Sequence, residues 1–455
     1  MYFNQLFKVS AGQVIRISVL GSNGGFGYSL LAQCSLIPSI HVAVICDKDI
    51  QKSREILLEL GWKSDLIFEC TTTYEITQAI SLGGTAIINN SALLPNAKVD
   101  MLIESTGLPE LSAEIAELCL KQKQHVGMVS KETESCVGPY LAKVARDNGV
   151  IYTTVDGDQP ANLIHLYSWI SMTGLEIIAA GKSSEYDFIW DEDQNTISYL
   201  DQTISVPEFG QVWKLGDSAK QTIQERSKML SSLPQSAVPD YCEMNVVSNS
   251  LGLKTDIPEL HYPIAKITEL ADLFIPEKDG GLLKNTGVID VFNCLRRKDE
   301  MSFAGGEFVI VKCHNEIVWQ LLKEKGHIVN NTLRYAAMIL PYHIMGVESP
   351  TSIFAAVLNG TSCGNPEQQV HTVMVGQATV DFEVGQTLSM GGHHHQIEGV
   401  KPLLLNQVDI IDTEYAHFYV AANKRLRRPV KKGDIFTYDD LELSHSTLYR
   451  MSKMQ

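Results

Sequence analysis

The chain has 455 residues, 44% of them hydrophobic and 20% charged, and carries a formal net charge of −16 at pH 7. At roughly 100–200 residues per domain, this length predicts two or three cores, and the composition is that of an ordinary globular protein. The negative field excludes nucleic acid and anionic membrane surfaces as general partners, because both would be repelled.

The nine cysteines are an odd number, scattered, and form no C-x-x-C pair. That pattern reads as buried thiols in a reducing compartment rather than a disulfide framework or a zinc ribbon. The start MYFNQLFKVSAGQ has no basic region followed by an apolar core, and no apolar run reaches the roughly 18 residues that a membrane span needs. The expected location is cytoplasmic.

Residues 16–27, RISVLGSNGGFG, join an apolar run to four glycines, and a helical pattern follows. This predicts a strand, a phosphate-cradling turn and a helix N-terminus, with Gly21, Gly24, Gly25, Phe26 and Gly27 as cofactor-binding candidates. Glycines permit a tight turn and close approach to a pyrophosphate, which the free N–H groups of the helix then face. Asp47 closes the next run, HVAVICD, at the distance where a dinucleotide fold places the acid that bonds a ribose. Asp47 would bond a 2′-hydroxyl and repel a 2′-phosphate, which leans toward NADH, while Lys48 and Arg54 are near enough in sequence to offset it. NAD or NADP is the expected cofactor.

Further strands are predicted at VDMLIEST, HVGMVSK and VIYTTVD, with helices at 50–60, 74–81, 109–121 and 139–147. This βαβ rhythm predicts a parallel sheet covered on both faces, with ligands at the carboxyl ends of its strands. Ser105, Thr106 and Gly107 fall at one such end, Lys131 at a second, and Asp156 and Asp158 at a third. A helix over 163–173 then leads into LEIIAAGK, which stops at Gly181 and Lys182. Helices near 219–233 and 241–253, strands at GVIDVF and GEFVIV, and a packed helix pair over 333–360 complete a central α+β region. Beyond Gly360, alternation and turn residues predict a small β-rich module containing His393, His394 and His395. That module is expected to stand apart from the reaction site. The predicted domains are 1–156, 157–360 and 361–455.

In order, the glycine-rich start, VDMLIESTG, MVSKETESCVGP, DGDQPA, AAGK, LPYHIMGVESP and RRPVKKGDIFTYDDLEL resemble homoserine-dehydrogenase-like oxidoreductases with a C-terminal SAF domain. The best understood branch of that group is that of the deoxyxylulose-phosphate-reductoisomerase-like (DRL) enzymes, which the chain resembles. The resemblance implies an α/β protein with an N-terminal Rossmann domain, a central α+β catalytic and dimerisation domain, and a C-terminal β-rich SAF-like module. It implies a homodimer or higher homo-oligomer acting on a small molecule. The implied activity is NADPH-dependent conversion of 1-deoxy-D-xylulose 5-phosphate to 2-C-methyl-D-erythritol 4-phosphate; homoserine dehydrogenase activity is the alternative, and a cofactor-binding sensor without turnover is another. The chain departs from the pattern at 236–239, where Ser-Ala-Val-Pro replaces a lysine-bearing Asp-Gly-Thr-Lys run, and it shows no D-x-x-x-K helix face.

Carbonyl reduction needs a hydride and a proton or strong polarisation at the oxygen. Lys131 and Lys182 are the candidates for that role, with burial expected to lower their pKa and Gly181 expected to leave room for substrate. Asp158 would orient a lysine or a substrate hydroxyl, and His261 is a further candidate. A reductoisomerase also uses a divalent cation; Glu132, Asp156 and Asp158 would supply ligands, and the metal is left open.

Overall fold

Seven short aliphatic runs, nearly all buried, form the first sheet in a computed structural model that describes every residue except Met1, Ala11, His393 and His394. They are β1 (Ile15–Leu20), β2 (Ile40–Cys46), β3 (Ile67–Glu69), β4 (Thr85–Ile88), β5 (Met101–Glu104), β6 (His125–Met128) and β7 (Tyr152–Thr154). Neighbours pair in parallel in the order β3-β4-β2-β1-β5-β6-β7. The chain runs outward from β1 on one side and resumes beside β1 at β5, so the strand order reverses between β1 and β5. Such a switch point opens a crevice at the carboxyl ends of the strands. β3 and β4 add to the five expected strands. TAII is a four-residue run between Gly83-Gly84 and Asn89-Asn90, too short for a period-two pattern to announce itself.

Amphipathic helices cover this sheet. Helix Thr73–Ser81 begins with a capping box from Thr72 and Glu75, and Pro109 opens helix Pro109–Lys121, where its missing N–H costs nothing. Pro139 also reads as a helix start. It instead lies inside the long helix Lys131–Asn148, whose buried face outweighs the hydrogen bond that the proline removes.

The second sheet is mixed. It contains β8 (Ile177–Ser183), β9 (Phe188–Asp191), β10 (Thr196–Tyr199), β11 (Gln202–Ser205), β12 (Lys254–Thr255), β13 (Ile264–Ala265), β14 (Val288–Arg297), β15 (Glu307–Lys312), β16 (Ile328–Val329) and β17 (Tyr335–Leu340). Its path is β11-β10-β9-β14-β8-β15-β17-β16, with β12 and β13 also paired to β14. The helix pair expected over 333–360 is half strand. YAAMIL pairs antiparallel with β15 along its whole length, and the α-helix is confined to Pro350–Asn359, after a short 3-10 turn at Met345–Val347. That helix returns to the first sheet, where Ile353 and Ala356 are buried with Ile17, Val19 and Leu30.

The C-terminal segment carries β18 (Thr372–Ala378), β19 (Met390–Gly391), β20 (Gln396–Ile397) and β21 (Val400–Asn406), in two two-stranded pairs. Much of the rest is held by isolated bridges and a final helix, Thr447–Ser452. All nine cysteines are free thiols. Among the described residues no helix is long and apolar enough to cross a membrane.

The last helix is fastened by charge. Arg450 Nη2 donates to Glu117 Oε2 at 2.6 Å, and Tyr140 and Lys121 both donate to Oε1. Burial pushes the Glu117 carboxyl up, but these donors outweigh it and hold it at about 2. A depressed folded-state pKa contributes stability that is complete above the unfolded value and is lost as pH falls toward the folded one. Glu117→Gln should therefore cost about 1.5–3 kcal/mol at pH 7, the range for hydrogen bonds to a charged group. The gap to wild type should narrow when denaturation is repeated near pH 3; equal gaps at both pH values would contradict this.

Candidate active site

The β1–β5 crevice is built by close backbone approach. Gly21 has φ +88°, and a Cβ there would lie 2.7 Å from the Ser105 carbonyl oxygen; a Cβ on Gly27 would lie 2.6 Å from the Gly21 oxygen. These two glycines let the turn fold against β5 and the helix pack on the turn. Gly24 and Gly25 differ: a Cβ on Gly25 meets nothing, and one on Gly24 comes no closer than 3.7 Å to protein. They border open space at the start of helix Gly25–Cys34, whose N-cap provides no side-chain hydrogen bond. That combination of free N–H groups and clear space fits a dinucleotide pyrophosphate. Asp47 Oδ2 accepts from the Asn23 N–H at 3.0 Å, so the acid braces the glycine turn.

Ser105 and Thr106 have their hydroxyls occupied. Ser105 Oγ donates to the Leu20 carbonyl, and Thr106 Oγ1 to the buried Glu104. Gly107 N–H donates to Ser130 Oγ at 2.8 Å. The three line the crevice as shaped backbone. One cavity of about 430 Å³ joins Phe26 and Ser105, Thr106 and Gly107 to Lys131, Asp158 and Lys182.

The lysines meet across one carboxylate. Lys131 pairs with Glu243 and lies 4.0 Å from Asp158 Oδ1. Lys182 also pairs with Glu243, and donates to Asp240 Oδ1 at 2.8 Å and Gln159 Oε1 at 2.6 Å. Asp240 and Glu243 stand three residues apart on helix Val238–Leu251, which puts both on one face. Burial opposes the charge of Glu243, yet Lys131 and Lys182 hold its carboxyl down at about 2. Asp158 is raised to about 6, mainly by burial, with Glu243 and Glu132 adding to it against the pull of Lys131.

The expected fall in lysine pKa does not occur. Burial does lower Lys182, but Asp240 and Glu243 overturn it and leave the ammonium above its usual value; Lys131 is raised in the same way, by Glu243 and Asp158. Gly181 does not make room for a substrate either. A Cβ there would lie 2.1 Å from the Asp290 oxygen on the adjacent strand, so this glycine permits strand approach.

His261 lies elsewhere. Its Nδ1 is 2.5 Å from Asp290 Oδ2 and its backbone N–H donates to Asp290 Oδ1, and it lines a different cavity. The three proposed metal ligands do not converge: Glu132 bonds His395 at 2.6 Å, Asp158 faces Lys131, and Asp156 faces His165 at 3.0 Å. They do not fit a shared cation. The C-terminal segment does reach the site, contrary to expectation. His395 lines the cavity and packs on Gly107, where a Cβ would meet its ring at 2.4 Å; His393 and His394 lie outside the described residues.

Sequence reasoning also missed Gln159, Asp240, Glu243 and His343, all of which line the cavity. The i, i+3 acid pair after Pro239 was the available signal. His343 offered none, because 341–349 forms a connection: Gly157, at φ +92°, lies so near the Met345 carbonyl that a Cβ would fall 1.8 Å from its oxygen.

Removing Lys182 leaves Asp240 and Glu243 buried, with Asp240 losing its ammonium partner. Lys182→Met should cost about 3–5 kcal/mol in denaturation, the range for stranding a buried charge. Lys131→Met leaves Glu243 paired with Lys182 and should cost distinctly less. Equal losses in the two variants would contradict the shared-carboxylate arrangement.

Residues 157–349 match the family model described as the catalytic domain of oxidoreductase DRL. No curated protein matches the chain. Among solved structures, the chain is similar to a 1-deoxy-D-xylulose 5-phosphate reductoisomerase from Zymomonas mobilis in complex with NADPH, at 13% identity, 38% of this chain, 46% of that one and a TM-score of 0.28. It thus spans less than half of that enzyme's length. It is similar to a dipicolinate-bound dihydrodipicolinate reductase from Paenisporosarcina sp. TG-14, at 12% identity over 76% of this chain and 96% of that one, TM-score 0.33. It is also similar to a probable dehydrogenase from Thermotoga maritima, at 14% identity over 76% and 90%, TM-score 0.36. None of these three likenesses is close enough to carry an argument. Residues 157–349 are thus similar to a catalytic domain of the DRL type, and they follow a Rossmann-type parallel sheet formed by the first seven strands.

Proposed function

We propose that the protein reduces the carbonyl of a small hydroxy-carbonyl compound, with Lys131 presenting its ammonium to the carbonyl oxygen. The observation that carries this reading is the single cavity in which the glycine-turn crevice opens onto Lys131 and Asp158. A bound nicotinamide supplies the hydride. Gly24 and Gly25 leave the pyrophosphate its space, Phe26 and 105–107 wall the nicotinamide half, and Asp47 bonds the ribose. In this reading 1–156 is the cofactor domain, 157–360 the catalytic and dimerisation domain, and 361–455 a SAF-like module that lends His395 to the cavity wall.

Lys182 is less suited to the substrate than Lys131. Its side chain is 1% exposed and bound to three acceptors, whereas that of Lys131 is 24% exposed. Lys182 then acts as a fixed countercharge that holds Glu243 in place, and Lys131 holds the proton at Nζ beside the oxygen. Asp158, near enough to Lys131 to orient it, also faces the substrate hydroxyl.

The cavity lining sets two lysines against Glu132, Asp158, Glu185, Asp240 and Glu243. Such a surface disfavours a phosphate, since like charges in a partly desolvated site repel strongly, and 236–239 offers no lysine. A neutral hydroxy-ketone or hydroxy-aldehyde therefore fits better than a sugar phosphate. Oxidation of NADH and NADPH with a panel that includes 1-deoxy-D-xylulose 5-phosphate, aspartate semialdehyde and unphosphorylated hydroxy-ketones tests this. Turnover confined to the neutral compounds is expected. Cofactor binding without oxidation of any panel member would support the sensor reading instead.

Three variants test the parts separately. Gly24→Val should fold, because its Cβ meets open space, yet lose dinucleotide binding; undiminished affinity would remove the crevice as the cofactor site. Asp47→Ala should improve NADPH affinity relative to NADH, and an unchanged ratio would refute the role of Asp47. Lys131→Met should lower turnover about 10²–10³-fold, the usual loss when one donor to a developing oxyanion is removed, with cofactor affinity nearly intact. Near-normal turnover would return the assignment to Lys182.

A further inference from the structure

Behind the cavity wall, a carboxylate, an imidazole and a thiol meet. Asp156 follows β7, His165 lies in helix Gln159–Ser171, and Cys363 comes just after helix Pro350–Asn359. His165 Nδ1 is 3.0 Å from Asp156 Oδ1, and Cys363 Sγ is 3.4 Å from Asp156 Oδ2. One donor atom from each of the three lies within 4.8 Å of the other two. None of the three lines the cavity that holds Lys131, and Asp156 and Cys363 fall outside the 157–349 match.

The arrangement differs from a nucleophilic relay. In a relay the imidazole stands between thiol and carboxylate, using one ring nitrogen for each. Here the carboxylate touches both other groups and the imidazole and thiol also touch each other, so the three donors close a triangle around one point. Bonds of about 2.0–2.3 Å to nitrogen, oxygen and sulfur, the lengths zinc prefers, would sit well with donors this close. Hard cations such as magnesium or calcium take oxygen ligands, whereas a thiolate with an imidazole selects zinc or a similar transition metal.

The surroundings hold the donors in place. Ser352 Oγ accepts from the Asp156 N–H at 2.7 Å and donates to Asp156 Oδ2 at 2.8 Å. Ser349 Oγ donates to the Asp156 carbonyl at 3.2 Å, and the Cys363 N–H donates to Thr153 Oγ1 at 2.9 Å. Outer contacts of this kind orient metal ligands. Ser352 Oγ also lies 3.3 Å from Cys363 Sγ, close enough to supply a fourth ligand. Asp156 is nearly buried, but the His165 side chain is 44% exposed, which gives an ion a way in.

We infer that Asp156, His165 and Cys363 form a binding site for a zinc-type divalent cation, completed by the Ser352 hydroxyl or a water. Its place in the fold assigns it a bracing role. Asp156 is followed directly by Gly157 and Asp158 of the cavity, so the ion would tie the turn bearing Asp158 to two helical segments far apart in sequence.

The test uses the full chain, stripped with a chelator and titrated separately with Zn(II) and Co(II). The expected result is one equivalent bound, a rise in melting temperature, and a thiolate-to-cobalt charge-transfer band. Cys363→Ser should abolish the band and His165→Gln the stoichiometric binding, both with wild-type circular dichroism. Absence of binding, a cobalt spectrum without the thiolate band, or a band that survives in Cys363→Ser would each overturn the site. Should either variant fail to fold, alkylation of the wild-type chain mapped by mass spectrometry decides: zinc must protect Cys363, and unprotected alkylation refutes the proposal.

Discussion

Glu243 is shared between two ammonium groups that belong to different sheets. Lys131 opens the helix that follows β6 of the first sheet, while Lys182 lies in β8 of the second. Neither lysine could stay charged at such depth alone, because burying an unpaired ammonium costs several kcal/mol. The common carboxylate, with Asp240 beside it and Asp158 opposite, keeps both charged and thereby sets the ligand-facing edges of the two sheets against one another. The cavity lies where this pairing draws them together.

The same pairing determines what the lysines can do. An ammonium held above its ordinary pKa transfers protons poorly at neutral pH but remains a fixed positive charge, and fixed charge aimed at a developing oxyanion stabilises a transition state without reorganisation. Full enclosure makes Lys182 part of the scaffold. Partial exposure is what gives Lys131 its proposed role toward a substrate, with Asp158 4.0 Å away. The surplus of carboxylates around them underlies the proposed preference for a neutral substrate.

Much of the first sheet was legible in the sequence, because its signals are local. Glycines after an aliphatic strand, an acid ending the next strand and small polar residues after β5 each reflect a backbone constraint at its own position. Gly21 and Ser105 then meet because strand order reverses between β1 and β5. The charge network was not legible in this way. Lys182 and Glu243 are paired by the packing of a helix on a strand, and residues 183–242 separate them; nothing near Lys182 shows that two acids await it, so burial alone suggested a lowered pKa. Tyr335–Leu340 misled for a similar reason: YAAMIL suits a buried helix as well as a strand, and only its pairing with β15 decides. His395 arrives from a hairpin remote in sequence, and no local pattern connects it with Gly107.

The most direct test of this account is a crystal structure of the protein soaked with a nicotinamide dinucleotide. The pyrophosphate should lie over Gly24 and Gly25, with the nicotinamide ring beside the Lys131 ammonium and Lys182 still enclosed between Asp240 and Glu243. A nicotinamide bound away from Lys131, or a Lys182 side chain released from Glu243 to contact the ring, would contradict it.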